Sequence, residues 1–147
     1  MKPDLIQKLQ ALRPQIRRRW EELLRIERLH TPLANPDTLV FMFDRTLDIV
    51  MSELPRHQPL HPGPRPVPRS AQNPMRIYFT ALEQAMLEAL INAQISLAKP
   101  EHGQHAAIVA ERAAAATHLC STLRRIARRE IETLDQICQP PARKRRR

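Results

Sequence analysis

The chain has 147 residues, a formal net charge of +9, and only two glycines, Gly63 and Gly103. Glycine takes positive φ at no steric cost, and strand turns, phosphate-cradling loops and nucleotide-binding elbows all lean on it. Its scarcity argues against a β-rich fold, a Rossmann crevice and a P-loop, and leaves an all-α protein: an antiparallel bundle of four main helices.

The first helical segment runs from about Pro3 to Leu29. Leu5, Leu9, Leu12, Ile16, Trp20, Leu23 and Ile26 form one apolar stripe at spacings of four and three. Pro14 lies on the opposite face and has no backbone N–H, so it is expected to kink the helix or to open the main helix after a short first one. Arg17, Arg18 and Arg25 decorate the solvent side, with Arg19 at the edge of the stripe. Asn35-Pro36 then pairs a capping amide with a proline at the first helical position, and Asp37 adds negative charge there. The second helix carries Leu39, Val40, Phe43, Leu47, Val50, Met51 and Leu54, and stops at Pro55.

Residues 55–74 hold prolines at 55, 59, 62, 64, 66, 68 and 74. Such a segment supplies no core and favours extended polyproline II, so it is expected to be a semi-rigid spacer between two helical hairpins. A PxxP spacing at Pro59 and Pro62 is weak evidence for a docking peptide. Asn73-Pro74 repeats the helix-opening signal, and the third helix reads Met75, Tyr78, Phe79, Leu82, Met86, Leu90, Ala93 and Leu97. Pro100 and Glu101 open the fourth, which extends to about Cys138 along Val109, Ala113, Ala116, Leu119, Leu123, Ile126, Ile131, Leu134 and Ile137. It is long enough to overhang the bundle or to bend. Residues 1–139 form a single domain on this pattern, and residues 140–147 a disordered basic tail.

The tail matters for the charge. Arg143, Lys144, Arg145, Arg146 and Arg147 supply +5, leaving only +4 on the other 142 residues. The body is mildly basic. No apolar run approaches the roughly 20 residues that span a bilayer, and the first residues lack the apolar core of a signal peptide. No membrane association and a cytoplasmic location are expected. Cys120 and Cys138 would lie about 27 Å apart on one straight helix, so free thiols are expected rather than a disulfide.

The search for chemistry yields little. Of the six histidines, His102 and His105 sit three apart, His57 and His61 fall in the proline-rich segment, and His118 lies near the core face of the fourth helix. Glu27 and His30 make one Glu-x-x-His match at a helix end, where a helical di-iron site needs two such motifs and two further glutamates. No metal, haem or other cofactor is expected, and no catalytic residues. Neither cysteine has a histidine base placed by a recognisable pattern. Glu83, beside the apolar stripe of the third helix, is expected to form a structural ion pair with Arg19 or Arg112 rather than to act in catalysis.

The stretches Ile16-Arg17-Arg18-Arg19-Trp20-Glu21-Glu22-Leu23-Leu24 and Tyr78-Phe79-Thr80-Ala81-Leu82-Glu83-Gln84-Ala85-Met86-Leu87-Glu88-Ala89-Leu90, with Asn35-Pro36 between them, carry a resemblance. They look like the helical sensory domains at the N-termini of bacterial RsbR-type stress regulators and some histidine kinases. The resemblance implies a cofactor-free, dimeric signalling module. The proline-rich segment and the arginine tail depart from it.

The expected function is therefore a non-catalytic bacterial regulatory, sensory or adaptor module that acts through protein–protein contacts and forms a homodimer. Phe41, Met42 and Ile49 widen the apolar arc of the second helix beyond one seam, and mark it as the partner-binding face. The alternative is a nucleic-acid-associated protein that uses the tail and the pairs Arg124-Arg125 and Arg128-Arg129, with non-specific binding through Arg143 to Arg147. A metal- or haem-binding bundle stands third.

Overall fold

The computed structural model describes residues 1–26, 36–56, 74–97 and 105–138. Within them lie five helices and no strand: α1 (Pro3–Ala11), α2 (Arg13–Ile26), α3 (Pro36–Glu53), α4 (Pro74–Ser96) and α5 (His105–Cys138). Most of the proline-rich segment, the capping Asn35 and Asn73, the opening Pro100 and the basic tail lie outside the described residues.

The expected count of four main helices becomes five because the first segment divides at Leu12. Pro14 has no N–H to give to the carbonyl one turn back, so the helical ladder cannot continue through it. Leu12, at φ −84° and ψ 1°, instead closes α1, its N–H reaching both Lys8 O and Leu9 O at 3.1 Å. Helical bonding then resumes as Ile16 N–H donates to Leu12 O at 3.0 Å. Proline is thus placed in the first turn of α2, where a missing donor costs least.

α4 packs against α1, α2 and α5, while α3 packs against α2 and α5. Its sequence explains the central place. Met75, Tyr78, Phe79, Ala81, Leu82, Ala85, Met86, Ala89, Leu90 and Ala93 are all buried, so its apolar surface is too broad for a single neighbour. Three helices meet in an aromatic cluster. Trp20 lies with its ring centroid 4.4 Å from Phe43 and 4.5 Å from Tyr78, and Phe79 meets Tyr78 edge-on at 5.3 Å. The Trp20 indole N–H donates to Tyr78 O at 2.9 Å, and the Tyr78 hydroxyl bonds Thr46 at 2.9 Å. Both polar tips thus find partners inside the core.

The apolar stripes need correction in α2, α4 and α5. In α2 the buried row is Ile16, Trp20 and Leu24, whereas Leu23 is only partly buried and Ile26 is 69% exposed. A row at spacing four drifts around a helix of 3.6 residues per turn and leaves the alternating stripe behind. Leu97 and Val109, both expected in the core, are 45% and 50% exposed, and Ala113, expected there too, is exposed. Leu97 and Val109 flank residues 98–104, at the end where α5 shows alanine-rich, mostly exposed turns before burial sets in at Ala115.

Candidate functional site

The protein contains five aromatic residues, and four of them form the buried cluster. The fifth, Phe41, is 87% exposed in α3, beside Met42 at 37%. Phe43, Leu47 and Val50 occupy the opposite side of the same helix at 0% exposure. Helical geometry separates the two sets: Phe41 and Met42 precede Phe43 by less than a turn, so only one side of α3 can face the core. Ile49, predicted from sequence to share the outer face, does not. It is partly buried and packs against the core, one residue from Val50. Arg45 is exposed one turn after Phe41. Arg143, Lys144, Arg145, Arg146 and Arg147, the other partner-binding candidates, lie outside the described residues.

Charged side chains form the second feature. Arg13 stands in the first turn of α2, where a helix dipole disfavours a cation, and it is held there by Asp44 and Asp48 of α3. The hydrogen bond to Asp48 is the main reason its pKa lies above the usual arginine value. Arg17 joins the same group through Asp44 at 2.7 Å. Arg19 reaches α4, donating to both oxygens of Glu88 at 2.7 and 3.2 Å. That contact lowers the Glu88 pKa and raises that of Arg19. These arginines are therefore links between helices rather than solvent decoration.

Glu83 does form an ion pair, but with neither Arg19 nor Arg112. Its partner is Arg124 of α5, at 2.8 Å. Arg19 is engaged with Glu88 instead. Sequence reasoning missed Glu53, which is nearly buried at 14% side-chain exposure and held by Arg125 at 2.8 Å and Arg129 at 3.3 Å. A signal was present: an acid in the last turn of a helix with no base there meets an unfavourable dipole and needs a cation from elsewhere. The consequence for the alternative function is direct. Of the pairs Arg124-Arg125 and Arg128-Arg129, three members already bind carboxylates of other helices. Engaged guanidiniums make weaker phosphate ligands.

A groove of about 550 Å³ opens between the first half of α4 and the second half of α5. Phe79 and Leu123 form its floor, Ala127 and Ile131 its apolar wall, and Arg76, Arg124 and Arg128 its basic rim. Glu83 and Glu132 also line it.

The nucleophile and metal candidates have ordinary structural surroundings. The Cys120 thiol is half-buried, and burial, with Glu83 nearby, pushes its pKa up, away from a reactive thiolate. His118 bonds Leu54 O through Nε2 at 2.9 Å, linking α5 to the end of α3. Among the described residues no group of three His, Cys, Asp or Glu side chains could hold a metal ion. The Glu27–His30 match, His57, His61 and His102 lie outside them. No described helix is long and apolar enough to cross a membrane. Compared with protein-family models, curated proteins and solved structures, the chain finds no match in any of the three.

Proposed function

We propose that the chain is a non-catalytic bacterial regulatory or adaptor module. In this proposal it is an antiparallel four-helix bundle, with α1 and α2 as one bent arm, that acts in the cytoplasm through protein contacts on the outer face of α3. The observation that carries this is Phe41. Full burial of such a side chain is worth about 1.5–3 kcal/mol, and Phe41 collects little of it at 87% exposure. A second copy of the chain, apposing Phe41 and Met42 around a two-fold axis, would cover both residues at once. The same reading takes up the resemblance to RsbR-type sensory domains, which act as dimers. Further support is that two carboxylates with little exposed surface, Glu53 and Glu83, are held by arginines, leaving them poorly suited to acid–base work.

Sedimentation of the full chain tests the proposal. The wild type is expected to be a dimer at micromolar concentration, and Phe41→Glu a monomer with the same helical circular dichroism. A wild type that stays monomeric well above micromolar concentration refutes self-association through this face.

A further inference from the structure

We propose that the α4–α5 groove is a binding site for a small amphipathic anion, a single carboxylate or phosphate on an apolar body. The site is remote in sequence from Phe41 and stands whether or not α3 binds a partner.

The case begins with the arginines. Arg124 is committed to Glu83 at 2.8 Å. Among the described residues neither Arg76 nor Arg128 has a carboxylate within ion-pair distance, Glu132 included. Arg76 is more constrained than a surface arginine: its Nε is buried and has no acceptor. With Nε enclosed, the terminal guanidinium N–H groups are the ones that can meet a ligand in the groove, and a carboxylate or phosphate oxygen is the acceptor that suits them best.

The segments joined to the groove helices at this end, 57–73 before α4 and 139–147 after α5, contain no aspartate or glutamate. Both are basic. The charge at the groove itself also bounds the ligand: three arginines against Glu83 and Glu132 leave a surplus of one positive charge, which suits one anionic group rather than a polyphosphate.

The rest of the lining calls for an apolar body. Ala127 and Ile131 are partly buried on the groove wall, above the buried Phe79 and Leu123. A volume of about 550 Å³ falls within the range of small-molecule sites, which combine an apolar lining with a few orienting polar groups. A free inorganic anion would leave this wall unused, and a neutral hydrocarbon would leave Arg76 unanswered.

The test is titration of the full-length protein with decanoate below its micellar concentration, followed by calorimetry and backbone amide shifts. Decanol and inorganic phosphate serve as comparison probes. Decanoate is expected to shift amides around Phe79 and Ala127, and both comparison probes to bind at least about tenfold more weakly. Arg76→Gln and Arg128→Gln remove charge. Ala127→Trp fills the wall and leaves every charge in place. Each is expected to weaken decanoate by about tenfold or more with an unchanged helical spectrum, whereas Arg18→Gln on exposed α2 surface changes it by less than about twofold. Five results would each overturn the proposal: no decanoate binding, equal binding of decanol or phosphate, shifts confined to the C-terminal arginines, undiminished binding by Ala127→Trp, or undiminished binding by a folded Arg76→Gln or Arg128→Gln. Should one charge variant fail to fold, the other and Ala127→Trp still decide.

Discussion

Tyr78 stands where three helices meet. Its ring packs on Trp20, its carbonyl accepts the Trp20 indole N–H, and its hydroxyl pairs with Thr46 of α3. Burial pushes the Tyr78 phenol well above its usual pKa, with the Thr46 bond opposing that rise. In Tyr78→Phe the ring packing survives and Thr46 loses its partner, so a loss of about 1–3 kcal/mol is expected, the range for a buried group left unsatisfied. Urea unfolding followed by Trp20 fluorescence measures it, since Trp20 is the one tryptophan in the chain. The pH dependence has a definite sign. The folded state keeps the phenol protonated where the unfolded chain loses its proton, so the unfolded state binds fewer protons above about pH 10 and stability falls as pH rises. That decline is expected to be shallower in Tyr78→Phe.

Helix boundaries follow from proline at three starts, Pro3, Pro36 and Pro74, and one break. α3 and α4 begin at Pro36 and Pro74, positions read directly from Asn-Pro pairs, because a fixed φ and a missing donor suit the first helical residue whatever the helix packs against. The break at Leu12 has the same local cause but a less legible outcome. From sequence, Pro14 is compatible with a kink or with a new start, and α2 takes the second course with Arg13 anchored on Asp44 and Asp48 across the interface. In Pro14→Ala the new amide can donate to the carbonyl of residue 10. The expected result is a single helix from Pro3 to Ile26, with the residue-14 amide protected from hydrogen exchange at the level of its neighbours. Rapid exchange there would mean that the Arg13 contacts, not the proline, hold the break open.

For the molecule as a whole, charge is divided between a cross-linked body and a basic extension. Arg13, Arg17, Arg19, Arg124, Arg125 and Arg129 spend their charge on carboxylates of neighbouring helices, so the five C-terminal cations are expected to dominate any contact with nucleic acid. A version ending at Ala142 should lose most non-specific DNA binding, and the slope of log affinity against log salt should shrink by up to about 4.5, at about 0.9 per phosphate. Its thermal midpoint should be unchanged. Salt titrations of both forms against one duplex check this, and sequence-selective binding by the shortened chain would restore the nucleic-acid alternative. Helical class, the starts at Pro36 and Pro74, and most core positions of α3 and α4 were legible in the sequence because caps, prolines and apolar periodicity act within a few residues of one another. Tertiary structure alone decided that Glu83 meets Arg124, that Glu53 takes two arginines, that Ile49 turns inward while Phe41 does not, and that Arg76 faces Arg128 across a groove. These pairings join residues 41 to 76 positions apart, or choose between two faces of one helix. Which face is covered and which charges meet depend on how the helices are placed, and no periodicity within a single helix carries that information.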